Sequence, residues 1–208
     1  MRSAAQGRRG SAYRTRAVSC TGEACEGTGV VNVLVVGGSG SGKSAFAERI
    51  ACSLSATRTY IATMRRDGTE AQTRITRHRK QREGLGFLTL ECPLSLPKET
   101  HRAGVALIED LGNLAANALF AADGTLHDQT LVAQQIQAEV VSCLEAFEHG
   151  VIVSNEVGCE GVSRFGGTRS WVRLVGTLNC RLASMCDAVV EVVAGQPSVL
   201  KGVLPWTP

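Results

Sequence analysis

Residues 31–44 read VNVLVVGGSGSGKS. A run with a strong apolar bias feeds straight into a glycine-rich turn that closes on Lys43 and Ser44. The turn fits G-x-x-x-x-G-K-[ST], with Gly37 first, Gly42 before the lysine and Ser44 last. The chemistry asks for each part. Glycines let backbone N–H groups curl around an oxyanion with no Cβ in the way. The Lys43 ammonium reaches the outer phosphates, and the Ser44 hydroxyl is placed to ligate Mg²⁺. The helix expected to open near Lys43 points its positive end at the same phosphates. The plainer alternative is a glycine-rich turn in an ordinary αβ unit, but strand, loop and helix pattern all agree with nucleotide binding. That defines a ligand class and leaves the reaction open.

Bulk properties narrow the class. A chain of 208 residues suggests one domain and is long enough for a substantial core. Hydrophobic residues at 44% and charged residues at 20% are ordinary for a globular protein, and no apolar run approaches a membrane span. The net charge of +3 is uneven: residues 1–30 carry Arg2, Arg8, Arg9, Arg14 and Arg16 against Glu23 and Glu26, so the remainder is neutral. Nothing in that balance argues for a nucleic-acid binder. The eight cysteines are scattered with no C-x-x-C, which reads as small buried hydrophobes in a reducing cytoplasm rather than zinc ligands or disulfides. Residues 1–30, rich in Gly, Ser, Ala and Arg without apolar periodicity, are expected to be a disordered extension; residues 31–208 are expected to form a single nucleotide-binding catalytic domain.

Beyond the loop, Ala47, Ile50, Ala51 and Leu54 predict a helix over 43–54, and TYIAT (59–63) predicts a second strand. The stretch 65–82, RRDGTEAQTRITRHRKQR, is strongly basic, and in a helix Ile75, His78 and Arg82 would share a face. It reads as a solvated basic helix, a nucleic-acid patch or a phosphate-handling surface beside the loop. FLTL (87–90) predicts a strand. Val105–Ile108 predicts another that ends in Glu109 and Asp110, the way P-loop enzymes present a carboxylate toward Mg²⁺ or its water shell. Helices are expected over 111–120 and through Val132, Ile136, Val140 and Leu144, with His149-Gly150 as the stop of the second. A strand over 151–154, a last helix from Trp171 to Met185, and strands at 188–193 and 198–200 complete the pattern. The fold expected is α/β: a P-loop NTPase (RecA-like), three-layer αβα, with a mostly parallel sheet.

The order GGSGSGKS, YIAT, RITRHRKQR, LIEDLGNLAANALF, VIVSNEVG and GTLNCRLASMCD resembles the bifunctional adenosylcobinamide kinase / adenosylcobinamide-phosphate guanylyltransferase family of cobalamin biosynthesis, over roughly residues 31–202. The resemblance implies phosphorylation of the aminopropanol hydroxyl of adenosylcobinamide with ATP or GTP. GMP then passes from GTP through a covalent guanylyl-histidine to the new phosphate. It makes His78 the nucleophile and Lys43 its catalytic companion in the loop. The nucleotide-binding set it implies is Gly37, Gly38, Ser39, Gly40, Ser41, Gly42, Lys43, Ser44, Thr63, Met64, Arg65, Arg79, Lys80, Gln81, Arg82, Glu91 and Glu109. Ser44 and Glu109 are the expected Mg²⁺ ligands, the substrates are a corrinoid and nucleoside triphosphates, and the assembly is a homotrimer. An attacking imidazole must be neutral, and neighbouring Arg77, Arg79, Lys80 and Arg82 disfavour imidazolium.

The chain departs from the family pattern at Gly40, where arginine is usual, and at Ser163, Arg173 and Cys180. Phe87 stands where an expected tryptophan is absent. These departures leave open a P-loop small-molecule kinase without the transferase step, or a non-catalytic nucleotide-binding regulatory subunit.

Overall fold

A computed structural model describes residues 29–66, 72, 76, 79, 80, 82–98, 102–157 and 165–204. Residues 1–28 of the expected extension over 1–30, together with Ile75, Arg77, His78, Gln81 and Ser163, lie outside the described residues.

Seven strands form one sheet: β1 Val31–Gly37, β2 Arg58–Ala62, β3 Phe87–Glu91, β4 Arg102–Glu109, β5 Phe147–Asn155, β6 Ala188–Val193 and β7 Gln196–Lys201. Their order is β3-β2-β4-β5-β1-β6-β7, parallel throughout except for the antiparallel β6–β7 edge. Four helices complete the described elements: α1 Lys43–Leu54, α2 Leu111–Leu119, α3 Gln129–Glu145 and α4 Gly166–Met185. This is the P-loop NTPase arrangement, three-layer αβα around a mostly parallel sheet.

The period-2 alternation of β1 decides which side each residue serves. Val33 and Val35 face α1, packing with Phe46, Ala47, Ile50 and Ala51. Leu34 and Val36 face the opposite layer, where Leu114, Ile136, Val140, Leu174 and Leu178 of α2–α4 close the larger core. Both layers bury their apolar stripes, so the central strands read as continuous apolar runs.

The carboxyl edge of the sheet collects the chemistry. The phosphate loop follows β1, Asp110 caps α2 by accepting from the Asn113 N–H at 2.6 Å, and α4 also starts on this edge. Although β5 separates β1 from β4, α1 packs across both β5 and β4, which carries its first turn toward the end of β4.

One boundary differs from expectation. His149-Gly150 is not a helix stop: α3 ends at Glu145, and both residues lie inside β5, where His149 pairs with Val31 and Val105. The Val31 N–H donates to His149 Nδ1 at 3.2 Å. Pairing on both sides overrides the local stop signal. The basic stretch is helical at Gln72, Thr76, Arg79, Lys80 and Arg82.

Candidate active site

Two close approaches shape the phosphate loop. A Cβ on Gly37 would stand 2.6 Å from both Ser41 Oγ and the Val192 carbonyl, so only glycine fits where the loop leaves the sheet. Gly40, at φ +71°, has open space around it; the left-handed backbone, not crowding, is what favours glycine there. The loop is braced by the Ser41 N–H donating to the Gly38 carbonyl at 3.2 Å and the Gly195 N–H donating to the Ser41 carbonyl at 2.8 Å. Lys43 is buried to 8% exposure, and its Nζ donates to the Gly38 carbonyl at 3.2 Å, folding the ammonium back over the cradle.

The Ser44 hydroxyl donates to Glu109 Oε1 at 2.6 Å. Glu109 Oε2 is buried and has no hydrogen-bond partner. Burial first, then the neighbouring Asp110 carboxylate, push the Glu109 carboxyl up to about 8 against the opposing Ser44 hydrogen bond and Lys43 charge. A hydroxyl beside a carboxylate oxygen that lacks a partner is an oxygen donor set suited to a hard divalent cation. Among the described residues no cluster of three or more His, Cys, Asp or Glu could hold a metal alone, so such an ion would need nucleotide oxygens or water as further ligands.

Backbone pins fix the edge around this pair. The Thr63 N–H donates to the Glu109 carbonyl at 3.0 Å, and Thr63 Oγ1 donates to the Asp110 carbonyl at 2.7 Å. Asn117 Nδ2 donates to the carbonyls of Thr63 and Pro93, at 2.9 and 2.7 Å. On the other side the Glu156 N–H donates to the Gly37 carbonyl at 3.0 Å. Ser154 Oγ donates to Asn179 Oδ1 at 2.6 Å, and Asn179 Nδ2 donates to the Asn155 carbonyl at 3.1 Å. Trp171 Nε1 donates to the Gly112 carbonyl at 2.9 Å, tying α4 to the start of α2.

The remaining expected residues separate into two groups. Met64 is half-buried and Arg65 exposed, with Arg65 Nη2 at 3.5 Å from the Asn117 carbonyl. Glu91 forms ion pairs with both Arg66 and Arg79, and those arginines, Arg66 first, hold its carboxyl below the usual range. Lys80 is exposed. Arg82 is different: it is 7% exposed, its Cζ lies 3.4 Å from the Tyr60 ring centroid, and its Nη1 is 3.9 Å from Glu48 Oε1. Its side chain belongs to the α1 face of the core. Burial pushes the Glu48 carboxyl up to about 7, opposed by Arg82. Sequence reasoning missed Glu48, Tyr60, Asn117 and Ser154. The one available hint was Glu48 itself, a carboxylate one helical turn after Ser44 beside the apolar positions Ala47, Ile50 and Ala51. The departures Arg173 and Cys180 lie on the exposed side of α4, two turns apart. Phe87 makes an edge-on contact with Tyr60, with ring centroids 6.3 Å apart.

No disulfide joins two described cysteines; Cys143 and Cys186 are buried as expected, and Cys180 is exposed. No described helix is long and apolar enough to cross a membrane.

Residues 33–200 match the family model CobU, described as cobinamide kinase / cobinamide phosphate guanyltransferase. The chain belongs to the CobU family. It is similar to the bifunctional adenosylcobalamin biosynthesis protein CobP of Pseudomonas aeruginosa, 34% identical over 176 residues that cover 81% of this chain and 96% of that protein. It is also similar to the bifunctional adenosylcobalamin biosynthesis proteins CobU of Escherichia coli (31% identical) and Salmonella typhimurium (29% identical). Each of these two matches covers 78% of this chain and 96% of the relative. Among solved structures, the flagellar accessory protein FlaH of Methanocaldococcus jannaschii overlaps 85% of this chain and 81% of its own, at 12% identity and a TM-score of 0.40.

Proposed function

We propose that this CobU-family chain is the bifunctional enzyme that phosphorylates adenosylcobinamide and then guanylylates the product, yielding adenosyl-GDP-cobinamide. The observation that carries the reading is the family match over residues 33–200, nearly the whole of the sheet and its helices.

In the kinase half-reaction the loop Gly37–Ser44 cradles the triphosphate, and the Lys43 ammonium offsets charge on its outer phosphates. The Ser44 hydroxyl and Glu109 carboxylate would hold Mg²⁺, which when bound supplies charge neutralisation on the phosphate oxygens. Thr63 and Asn117 keep Glu109 in place through the backbone, so the acidic strand end does not drift from Ser44. The corrinoid hydroxyl oxygen attacks the γ-phosphorus, its proton passes to solvent water, and the nucleoside diphosphate leaves with the bridging oxygen.

In the transfer half-reaction a neutral nitrogen of His78 attacks the α-phosphorus of GTP, and pyrophosphate departs. An oxygen of the cobinamide phosphate then attacks the same phosphorus and releases the imidazole. Covalent catalysis splits one difficult transfer into two easier ones. The exposed side chains of Arg65, Arg79 and Lys80 are the cations assigned to the phosphates, Arg79 by exchanging its ion pair with Glu91, and Met64 precedes Arg65 in sequence. The working assembly is a homotrimer in the cytoplasm.

Incubation with cobinamide, ATP and GTP, followed by mass analysis of the corrinoid, tests the reading. GDP-cobinamide is expected from the wild type, and neither phosphate nor GDP adduct from Lys43→Ala. Accumulation of cobinamide phosphate alone in the wild type would reduce the chain to a kinase.

A further inference from the structure

The cluster of Glu48, Tyr60 and Arg82 has no part in the chemistry above, yet it joins three elements. Glu48 lies on α1 one turn beyond Ser44, Tyr60 lies in the middle of β2, and Arg82 ends the basic stretch. All three are buried, at 8%, 5% and 7% exposure. The Arg82 Cζ lies 3.4 Å from the Tyr60 ring centroid, and its Nη1 is 3.9 Å from Glu48 Oε1. Arg82 Nη1 makes no hydrogen bond.

A guanidinium is costly to bury, and the arrangement here returns that cost through a ring face and a carboxylate rather than through a full set of hydrogen bonds. Its neighbours in sequence, Arg79, Lys80 and Glu83, are exposed. One side chain at the end of an otherwise polar segment is therefore sunk into the core beside the phosphate-loop helix. Arg82 follows His78 by four residues.

We propose that Glu48 and Tyr60 form a receptor for Arg82 that fixes the histidine-bearing segment against the phosphate-loop helix, which makes them positioning residues for guanylyl transfer. The part concerning transfer rests on the assignment of His78 above; the docking itself does not. A ring and a carboxylate supplied by two different elements define both the height and the direction of the docked arginine, so Arg82 is held at a set distance from α1. The kinase half-reaction, which uses the loop and Glu109, does not need that contact.

Two measurements on the full chain test this. Native trypsin digestion with mass analysis reports cleavage within residues 65–82, and GTP labelled at the α-phosphorus reports covalent guanylylation. At about pH 8, where Glu48 is ionised, Tyr60→Leu and Glu48→Gln are each expected to raise cleavage in that segment about tenfold and to slow labelling about tenfold, the equivalent of losing one desolvated cation–π or charge contact. Cobinamide phosphorylation should stay within about twofold of wild type. Tyr60→Phe keeps the ring face and should behave as wild type in all three. Unchanged cleavage in both Tyr60→Leu and Glu48→Gln overturns the docking. Phosphorylation and labelling that fall together overturn the specific link to transfer. Absence of label in the wild type removes the assignment of His78, while the cleavage result still decides the docking.

Discussion

Ser44 and Glu109 are 65 residues apart in sequence and meet through a 2.6 Å hydrogen bond at the mouth of the phosphate loop. The hydroxyl opens α1 and the carboxylate closes β4, so the contact joins the two parts of the proposed metal-nucleotide site across an intervening strand. Removing either side should be felt in turnover far more than in folding. Ser44→Ala is expected to lower the rate of cobinamide phosphorylation about a hundredfold, the scale of losing one preorganised electrostatic contact. Its thermal midpoint should stay within a few degrees of wild type. Steady-state kinetics beside a melting curve check both parts.

The buried carboxyls make stability depend on pH with a definite sign. Glu48 holds its proton to about pH 7 in the folded chain, against an ordinary value of 4.5. Between those values unfolding releases a proton, so stability falls as pH rises and levels off above the folded value. For Glu48 alone the span corresponds to on the order of 3 kcal/mol. Urea unfolding of metal-free protein at about pH 5 and about pH 8 should show this loss, and Glu48→Gln should show it reduced by that amount.

Gly37→Ala would press a methyl group against Ser41 Oγ and the Val192 carbonyl, one of them backbone that has no room to turn away. A destabilisation of about 1–3 kcal/mol is expected, together with weakened nucleotide binding, because relief must come from the loop itself. Calorimetric titration with a non-hydrolysable triphosphate reads the second effect.

Lys201 serves the opposite end of the molecule. Its Nζ donates to the carbonyls of Ala183, Ser184 and Cys186 at 2.9, 3.1 and 2.7 Å, closing the C-terminal end of α4. Lys201→Met should cost about 1–2 kcal/mol by loss of charge-assisted bonds to helix-end carbonyls. Both activities should remain at wild-type rates, since the contact lies at the far end of α4 from the phosphate loop.

The phosphate loop was legible because its meaning is local: glycines, lysine and serine at set spacing between an apolar strand and a helix. Glu109 was legible for a related reason, as a carboxylate ending an apolar run. Their meeting was not, because it depends on α1 crossing β5. Arg82 shows the limit most clearly. Within RITRHRKQR it looks like its neighbours, and only the fold separates the arginine that stacks on Tyr60 from the exposed Arg79 and Lys80. His149-Gly150 misleads for a similar reason, since strand pairing with Val31 and Val105 decides its conformation. Glu91, expected at the nucleotide, is shared by Arg66 and Arg79, a pairing that its place in the sequence does not reveal.

The central claim is that one loop serves phosphorylation while His78 carries the guanylyl group. Incubation with GTP labelled at the α-phosphorus, followed by denaturation and peptide mapping, tests it most directly. One acid-labile guanylyl adduct is expected on the peptide containing His78. That adduct should be absent in His78→Ala, while cobinamide phosphorylation persists in that variant. A wild-type chain that phosphorylates cobinamide yet carries no covalent label, or a label that survives His78→Ala, would contradict it.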